Sequence, residues 1–346
     1  MSAGTPHSAD AAQPADAAQP ADAAQPADAA QPADAAQSAG ATQEASGSSP
    51  ANGSQGPSAP GLLLSARDIR ELADAAGIRP SKQRGQNFVM DPNTVRTIVG
   101  RAGITPGQAV LEVGPGLGSL TLGLLEAGAD VAAIELDRGL AELLPLTLHA
   151  RGVDEERYRL VHADALQVTE LSDLPHAGQP TALVANLPYN VATPILLTIL
   201  ERFPEIRTAL VMVQSEVVDR LTAGPGSRTY GGPSVKAAWY GRAEQAGRIS
   251  RQIFWPVPNV DSALVELTRH DEPLGTSAER AEVFAVIDAA FAQRRKTLRA
   301  ALAPWAGSPT RSEEILRAAG IDPGARGETL EIEQFRSIAR ASGEIA

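Results

Sequence analysis

A run of four residues, Asn186-Leu187-Pro188-Tyr189, places an amide, a proline and an aromatic ring directly after the apolar residues 181–185. An Asn side chain can accept one hydrogen of an exocyclic amine, and the carbonyl before Pro188 can accept the other. The Tyr189 ring offers a surface on which a flipped-out base can stack. This run predicts a ledge that holds a base by its amino group, in DNA, RNA or a free nucleotide. A plain Asn-x-Pro turn is the structural alternative.

A glycine-rich run, Glu112 to Gly118, follows an earlier apolar strand. Its alternate glycines, Gly114, Gly116 and Gly118, would let backbone N–H groups approach a ligand with no Cβ in the way. Ser119 stands where a dinucleotide fingerprint has its third glycine. The spacing therefore favours S-adenosylmethionine over NAD, although three glycines alone are a weak signal.

Two acidic residues follow the next two strands. Glu135 lies 21 residues after Gly114, and a carboxylate there can accept hydrogen bonds from both hydroxyls of a ribose. Asp164 follows the third strand and could accept the amino hydrogens of an adenine, or simply cap a loop. Asp137 is predicted to cap the next helix. Motifs after three successive strands together predict one nucleotide-like cofactor.

The elements that must position these motifs alternate between short apolar runs and helical patterns. Such alternation predicts an α/β fold with a mostly parallel sheet covered on both faces. In these sheets ligands bind outside the carboxyl ends of the strands, where the motifs fall. The predicted strands are Ala109–Val113, Val131–Ile134, Arg159–Val161, Thr181–Ala185, Ala209–Val213 and Ala263–Leu267.

Composition narrows the function classes. The 346 residues, 43% of them hydrophobic, can form a sizeable core, and the absence of cysteine excludes disulfides and thiol catalysis. The five histidines show no ligand spacing, so no metal site is expected. No apolar run approaches the roughly 18 residues of a membrane span, and the N-terminus lacks the features of a signal peptide. We expect a cytoplasmic, soluble protein.

Residues 1–60 differ in composition from the rest. Residues 9–37 repeat Ala-Asp-Ala-Ala-Gln-Pro almost perfectly, and a proline in every sixth position interrupts helix nucleation, so we expect a disordered tail. A solvated extension is favoured over a partner-binding arm. The tail holds six acidic residues and no Lys or Arg; without it the net charge of −11 becomes −5. An RNA site would therefore have to be a local basic patch.

Basic residues concentrate in three places. The loop 81–91 could cover a cofactor, touch phosphate or be an ordinary surface loop. Arg220 and Arg228 flank or occupy the Gly/Pro-rich loop 224–232. After a linker near 271–276, a helical pattern carries a basic cluster at its middle, where RNA backbone or plain solvent could lie. The cluster comprises Arg294, Arg295, Lys296 and Arg299.

These observations predict a methyltransferase domain over 61–271 and a helical RNA-binding domain over 272–346. Between the basic regions, Phe254-Trp255-Pro256-Val257-Pro258 predicts an irregular wall whose aromatics either belong to the core or stack on bases.

Several motifs, in this order and spacing, resemble those of the bacterial ribosomal RNA small-subunit adenine dimethyltransferases. The similarity extends from about Leu62 to Ser342 and leaves out the tail. Val89 stands where the family usually has Leu, a change that keeps an apolar contact. The motifs are Gly85–Phe88, Glu112–Gly118, Ile134–Asp137, Asp164–Ala165, Asn186–Asn190, Pro256–Ala263 and Gln293–Thr297.

The resemblance implies a Rossmann-like class I methyltransferase that uses S-adenosylmethionine and no metal. It implies two adjacent adenosines near the 3′ end of small-subunit (16S) rRNA as acceptors, four methyl transfers per RNA, and a monomer acting on rRNA or an assembling 30S subunit. Asn186, Leu187, Pro188 and Tyr189 would be the catalytic ledge. Cofactor contacts would come from Asn87, Val89, Gly114, Gly116, Glu135, Asp164 and Asn186.

Three other interpretations remain. A large-subunit rRNA adenine methyltransferase of the antibiotic-resistance type would share the fold and the ledge, but the loop 224–232 and the extended C-terminal region favour the small-subunit enzyme. A non-catalytic assembly factor is disfavoured by the intact Glu135 and Asp164. An NAD-linked oxidoreductase fits the glycine run only loosely.

Overall fold

A seven-stranded sheet organises the part of the chain that the computed structural model describes, which is residues 61–80, 86–169 and 179–345. The predicted tail and residues 81–85 of the basic loop, including Gly85, lie outside the described residues. The described residues belong to one compact unit. Within the described ranges, no helix combines the length and apolar character needed to cross a membrane.

The sheet has the order β4-β3-β2-β5-β6-β9-β7. The first five of these strands are parallel to one another, whereas β9 runs antiparallel to both β6 and β7. A separate pair, β1 and β8, is antiparallel. The bounds are β1 Phe88–Val89, β2 Ala109–Val113, β3 Asp130–Glu135, β4 Tyr158–His162, β5 Ala182–Asn186, β6 Thr208–Gln214, β7 Gly241–Ile249, β8 Phe254–Trp255 and β9 Ser262–Arg269.

All six predicted strands are therefore confirmed, with differences of one or two residues at their ends. The prediction works because β2, β3 and β5 are buried along almost their whole length, and a strand covered on both faces must be apolar nearly throughout. Sequence reasoning missed β7. Its buried and exposed residues alternate irregularly, and its register shifts between Gln245 and Gly247.

Twelve α-helices accompany the strands in the described ranges, and side chains cap several of them. Ser65 caps α1, which ends just before Gly77, and the side chain of Asp91 caps α2. The bounds are α1 Ala66–Ala75, α2 Pro92–Ala102, α3 Ser119–Glu126, α4 Arg138–Ala150, α5 Ala192–Arg202, α6 Ser215–Leu221, α7 Gly232–Tyr240, α8 Ser277–Ala292, α9 Leu298–Ala301, α10 Ala303–Ala306, α11 Pro309–Ala318 and α12 Ile332–Ile345.

The basic cluster does not lie in the middle of a helix, and this part of the prediction is wrong. The chain leaves the helical conformation at Gln293 and re-enters it after Thr297, so that the cluster starts in the turn between α8 and α9. The N–H groups of Leu298 and Arg299 donate to the carbonyls of Ala325 and Pro323, at 2.7 and 3.1 Å, instead of continuing the ladder of α8. Tertiary hydrogen bonds thus replace helical ones.

Two apolar clusters cover the sheet, and neighbouring residues of β2 point into different clusters: Leu111 into one and Val110 into the other. The first cluster continues without a break into the C-terminal helices, where Ile287 and Phe335 are fully buried. These helices therefore share a core with the sheet. The division into a methyltransferase domain and a helical domain near residue 271 stays a prediction.

Candidate active site

A cavity of about 600 Å³ opens at the carboxyl ends of β2, β3 and β5, within the range of sites that bind small molecules and cofactors. This is the edge of the sheet where the sequence motifs were predicted to meet. Its lining comprises residues 86–89 from the N-terminal loop, Gly114–Leu117, Ser119 and Leu120 from the glycine loop and α3, Glu135–Leu140 after β3, and Asn186 and Pro188 after β5.

The glycine loop provides close packing rather than exposed amides. Gly114 and Gly116 have φ angles of 75° and 59°, which side chains rarely tolerate, and a Cβ on Gly116 would lie 3.0 Å from the Phe88 ring. Their N–H groups donate to the Ile134 carbonyl, at 2.9 Å, and to Glu135 Oε2, at 3.1 Å. Both amides are therefore used within the protein, while the two glycines line the cavity, and their contact with the cofactor stays a prediction.

Glu135 is a buried carboxylate that still has free acceptor sites. Its Oε2 accepts from Gly116 and its Oε1 accepts from the Asp137 N–H at 2.8 Å. A carboxylate offers about four lone-pair positions, and the Leu136 N–H also contributes a bond, so at least one position stays available for a further donor. Burial raises the pKa of Glu135, and the bonds from Asp137 and Gly116 oppose that shift. Asp137 itself caps α4 by accepting from Gly139 and Leu140, which confirms the predicted cap.

Residues 86–89 form a wall over the glycine loop, held by contacts that sequence reasoning missed. Phe88 pairs with Trp255, joining β1 to β8. The Ser119 hydroxyl donates to the Val89 carbonyl at 2.7 Å, so the residue that replaces a third glycine anchors this wall. Phe254 is fully buried, which confirms the core interpretation for that aromatic, and Trp255 is partly buried.

Asn186 links this wall to the predicted ledge. Its Nδ2 donates to the Asn87 carbonyl at 3.0 Å. A carbonyl only accepts, so the amide nitrogen must face it, which leaves Oδ1 as the end of the side chain able to accept from a ligand. Leu187 is buried and its N–H donates to the Met212 carbonyl at 3.1 Å, which fixes the backbone of the ledge. Pro188 lines the cavity.

Tyr189 lies half-buried beside the cavity lining. Its hydroxyl is 2.9 Å from the Oγ of Ser262, a fully buried residue that begins β9. Burial raises the pKa of Tyr189, against the opposing effect of the Ser262 hydrogen bond. The phenol therefore stays neutral near pH 7 and can offer a flat ring, not a base. Sequence reasoning missed the role of Ser262, because no local pattern indicates that two residues 73 positions apart are in contact.

Asp164 lies outside the cavity lining. Its Oδ1 accepts from the Leu166 N–H and its carbonyl accepts from the Gln167 N–H, at 2.9 and 2.8 Å. The structure thus shows the loop-capping role, and the adenine contact stays a prediction. A residue that sequence reasoning missed is Leu136, which lines the cavity beside Glu135 and is 68% exposed. A large apolar side chain directly after the acid predicted to bind ribose was the available signal.

The predicted RNA-binding cations divide into two groups. Three are ion-paired: Arg220 with Glu216 at 3.4 Å, Arg294 with Glu328 at 2.8 Å, and Arg299 with Glu313 at 2.8 Å. Arg294 also donates to the Arg228 carbonyl at 2.7 Å, tying the loop 224–232 to the end of α8. Three are exposed and make no side-chain hydrogen bond or ion pair to any described residue: Arg228, Arg295 and Lys296.

Known proteins resemble this chain in sequence over most of its length. The model of the family described as ribosomal RNA adenine dimethylase matches residues 79–342. The protein named ribosomal RNA small subunit methyltransferase A of Streptomyces griseus subsp. griseus is 60% identical over 288 residues, 83% of this chain and 98% of that protein. The protein of the same name from Kineococcus radiotolerans is 61% identical over 291 residues, 82% of this chain and 95% of that protein.

Two solved structures share the fold. A dimethyladenosine transferase from Plasmodium falciparum matches with a TM-score of 0.60 at 20% identity, covering 72% of this chain and 95% of that one. The 23S rRNA methyltransferase ErmE matches with a TM-score of 0.53 at 28% identity, covering 74% of this chain and all of that one. The predicted Rossmann-like methyltransferase fold is confirmed. With a family model that matches most of its length, the chain belongs to the ribosomal RNA adenine dimethylase family.

Proposed function

We propose that this protein dimethylates the N6 amines of two adjacent adenosines near the 3′ end of small-subunit rRNA, as a cytoplasmic monomer that acts during ribosome biogenesis. Family membership supplies the coarser statement, that it is an S-adenosylmethionine-dependent rRNA adenine dimethyltransferase. The choice of the small subunit rests on its relatives, which are named for that activity.

One observation carries the proposal at the level of residues. Asn186 lines the cofactor-sized cavity and also begins the ledge that ends in Tyr189. A single side chain therefore borders both the space for a methyl donor and the surface for an acceptor base. This is the arrangement that direct transfer between two bound molecules requires.

The cavity fits S-adenosylmethionine. Glu135 keeps acceptor capacity for a ribose hydroxyl beside its bonds from Gly116 and Asp137. Leu136 offers exposed apolar surface for the adenine, and Asp164 Oδ2 could accept from the adenine amine. Because Gly114 has no side chain, the cavity stays open near the Asn186 carbonyl. A Cβ on Gly114 would lie 3.8 Å from that carbonyl oxygen. When bound, the cofactor supplies an electrophilic methyl group on a positively charged sulfur.

The ledge prepares the amine for this methyl group. The lone pair of an adenine amine is delocalised into the ring, which makes the amine a poor nucleophile. Hydrogen bonds from the amine to Asn186 Oδ1 and to the Leu187 carbonyl localise the lone pair, while the Tyr189 ring holds the base in place. After the first transfer the amine keeps one hydrogen, so the second transfer uses one of the two acceptors. In each transfer the amine nitrogen loses its proton only after the methyl group has bonded to it, so no general base is needed.

The experiment that tests this function uses the full chain, radiolabelled S-adenosylmethionine, and separated small and large ribosomal subunits from a strain that lacks these methylations. We expect N6,N6-dimethyladenosine in digested small-subunit rRNA. Label in the large subunit alone would replace the proposal with the antibiotic-resistance type of activity. Label in neither, with the cofactor bound normally by calorimetry, would contradict both.

A further inference from the structure

A second cavity, of about 500 Å³, lies at the same edge of the sheet as the ledge. It sits where β6 ends, β9 begins and β7 ends, since Ser262 pairs with both Gln214 and Ile249. Adjacent strands are about 4.8 Å apart, and β6 is the immediate neighbour of β5, which ends in Asn186. The two cavities are therefore separated by only one or two strand widths.

Two hydrogen bonds hold the wall between this second cavity and the ledge. Ser262 lines the second cavity and bonds to the Tyr189 hydroxyl. The Ser215 N–H donates to the Asp261 carbonyl at 3.0 Å, which joins the end of β6 to the loop before β9. A ligand in the second cavity would consequently lie directly beside a base stacked on Tyr189.

The lining has the chemistry of a nucleotide site. Gln214 and Asn259 contribute amides with no hydrogen bond to a described residue, and such amides read the edges of bases. Arg248 contributes an exposed guanidinium that likewise makes no ion pair with a described residue, as a phosphate contact requires. Two carboxylates are also present: Glu216, which Arg220 neutralises at 3.4 Å, and Asp261, which is exposed and can accept from a base amine.

Arg248 differs from three of the six predicted RNA-binding cations. Arg220, Arg294 and Arg299 are already paired with carboxylates, so an RNA phosphate would have to compete with an existing ion pair. Arg248 is without such competition and borders a cavity next to the acceptor site. Nothing in the motifs of the sequence pointed to it.

We propose that this second cavity binds the nucleotide that adjoins the target adenosine in the RNA strand, with Arg248 on its phosphate and Gln214 and Asn259 on its base. The inference rests on the proposed function, since it presumes an RNA acceptor at Tyr189. Its role is to hold the strand in register while the target base occupies the ledge.

The first test compares Arg248→Ala with Arg242→Ala in the full chain. Arg242 is a matched control because it lies on the same strand, opposite Thr268 at the far end, and is exposed but paired with Glu244. For Arg248→Ala we expect KM for the unmethylated small subunit to rise about tenfold. The negative slope of log affinity against log salt concentration should become shallower by about 1, because one phosphate contact is removed. Cofactor affinity should not change. Equal effects of the two variants would overturn the proposal.

The second test exploits the absence of cysteine. Val260 lines the second cavity and is 44% exposed, so Val260→Cys gives a single attachment point for a thiol-linked photo-crosslinker. We expect the crosslink to map to a nucleotide that directly adjoins a target adenosine, which includes the second adenosine of the pair, and to be absent from Arg242→Cys. A crosslink confined to a distant part of the RNA would overturn the proposal. A wild-type chain that methylates no subunit would instead refute the proposed function on which it rests.

Discussion

Replacing Asn186 by alanine tests the central assignment because the two ends of this side chain have different roles. The Nδ2 end holds the wall of the cofactor cavity through the Asn87 carbonyl at 3.0 Å, and the Oδ1 end is proposed to accept from the target amine. The variant removes both interactions at once. The two losses should appear in different measurements.

The magnitudes follow from the two kinds of hydrogen bond that the variant removes. A hydrogen bond such as that from Nδ2 to Asn87 contributes about 0.5–1.5 kcal/mol, which would weaken cofactor binding by about two- to tenfold. A preorganised hydrogen-bonding group used in the transition state contributes about 2.7–4 kcal/mol, which would lower kcat about 10²- to 10³-fold. Turnover should therefore fall at least about ten times more than cofactor affinity.

The assay combines calorimetry with S-adenosylmethionine and single-turnover methylation of unmethylated small subunits at saturating cofactor. Asn93→Ala is a suitable control, because Asn93 is exposed on α2 and is not among the residues that line the cavity. If Asn186→Ala turns over at a near wild-type rate, or if its whole defect is recovered by saturating the cofactor, the proposed role of Oδ1 is refuted.

Three further predictions concern carboxylates. Glu135→Gln should raise the Kd for the cofactor at least about tenfold, measured by calorimetry. The amide NH2 group would face a backbone N–H, donor against donor, and the charged acceptor for the ribose would be lost. Unchanged affinity would contradict the ribose role. Asp164→Asn keeps an Oδ1 acceptor for the local turn, so Tm should not change. We expect about a tenfold loss of cofactor affinity if Asp164 contacts the adenine. Unchanged affinity would show that Asp164 serves the turn alone. Burial raises the pKa of Glu112 from 4.5 to about 8, so the folded state keeps a proton that the unfolded state releases. As the pH rises from 4.5 to about 8, the free energy of unfolding of the wild type should therefore fall, by up to about 1.4 kcal/mol per pH unit. Urea titrations of Glu112→Gln should lack this component, and identical pH slopes would contradict it.

The parts of the fold that follow from local pattern could be predicted. The apolar runs of β2 and β5 are short and bounded by turn residues, which indicates buried strands. Parallel connectivity then brings Gly114, Glu135 and Asn186 to one edge. Asp137 was predicted as a cap because its side chain serves its own chain neighbours. In each case the deciding interaction lies within a few residues or follows from the strand order.

The parts that depend on distant partners could not be predicted. The pattern 241–249 lacks alternation, and β7 is held in place by pairing with β9. The turn at 293–297 forms because Leu298 bonds to Ala325, an interaction that helical periodicity cannot reveal. For the same reason the sequence did not indicate that the Gly116 N–H donates to Glu135 on the neighbouring strand.

The hydrogen bond from Asn186 to Asn87 has a consequence for the order and strength of binding. A cofactor that packs against residues 86–89 also fixes the side-chain amide of Asn186, which is proposed to accept from the target base. Both ligands therefore act on the same side chain. Any free energy by which the cofactor favours the RNA must then appear, with the same size and sign, as a gain in cofactor affinity when RNA is bound. Removing this hydrogen bond should therefore weaken the coupling between the two ligands.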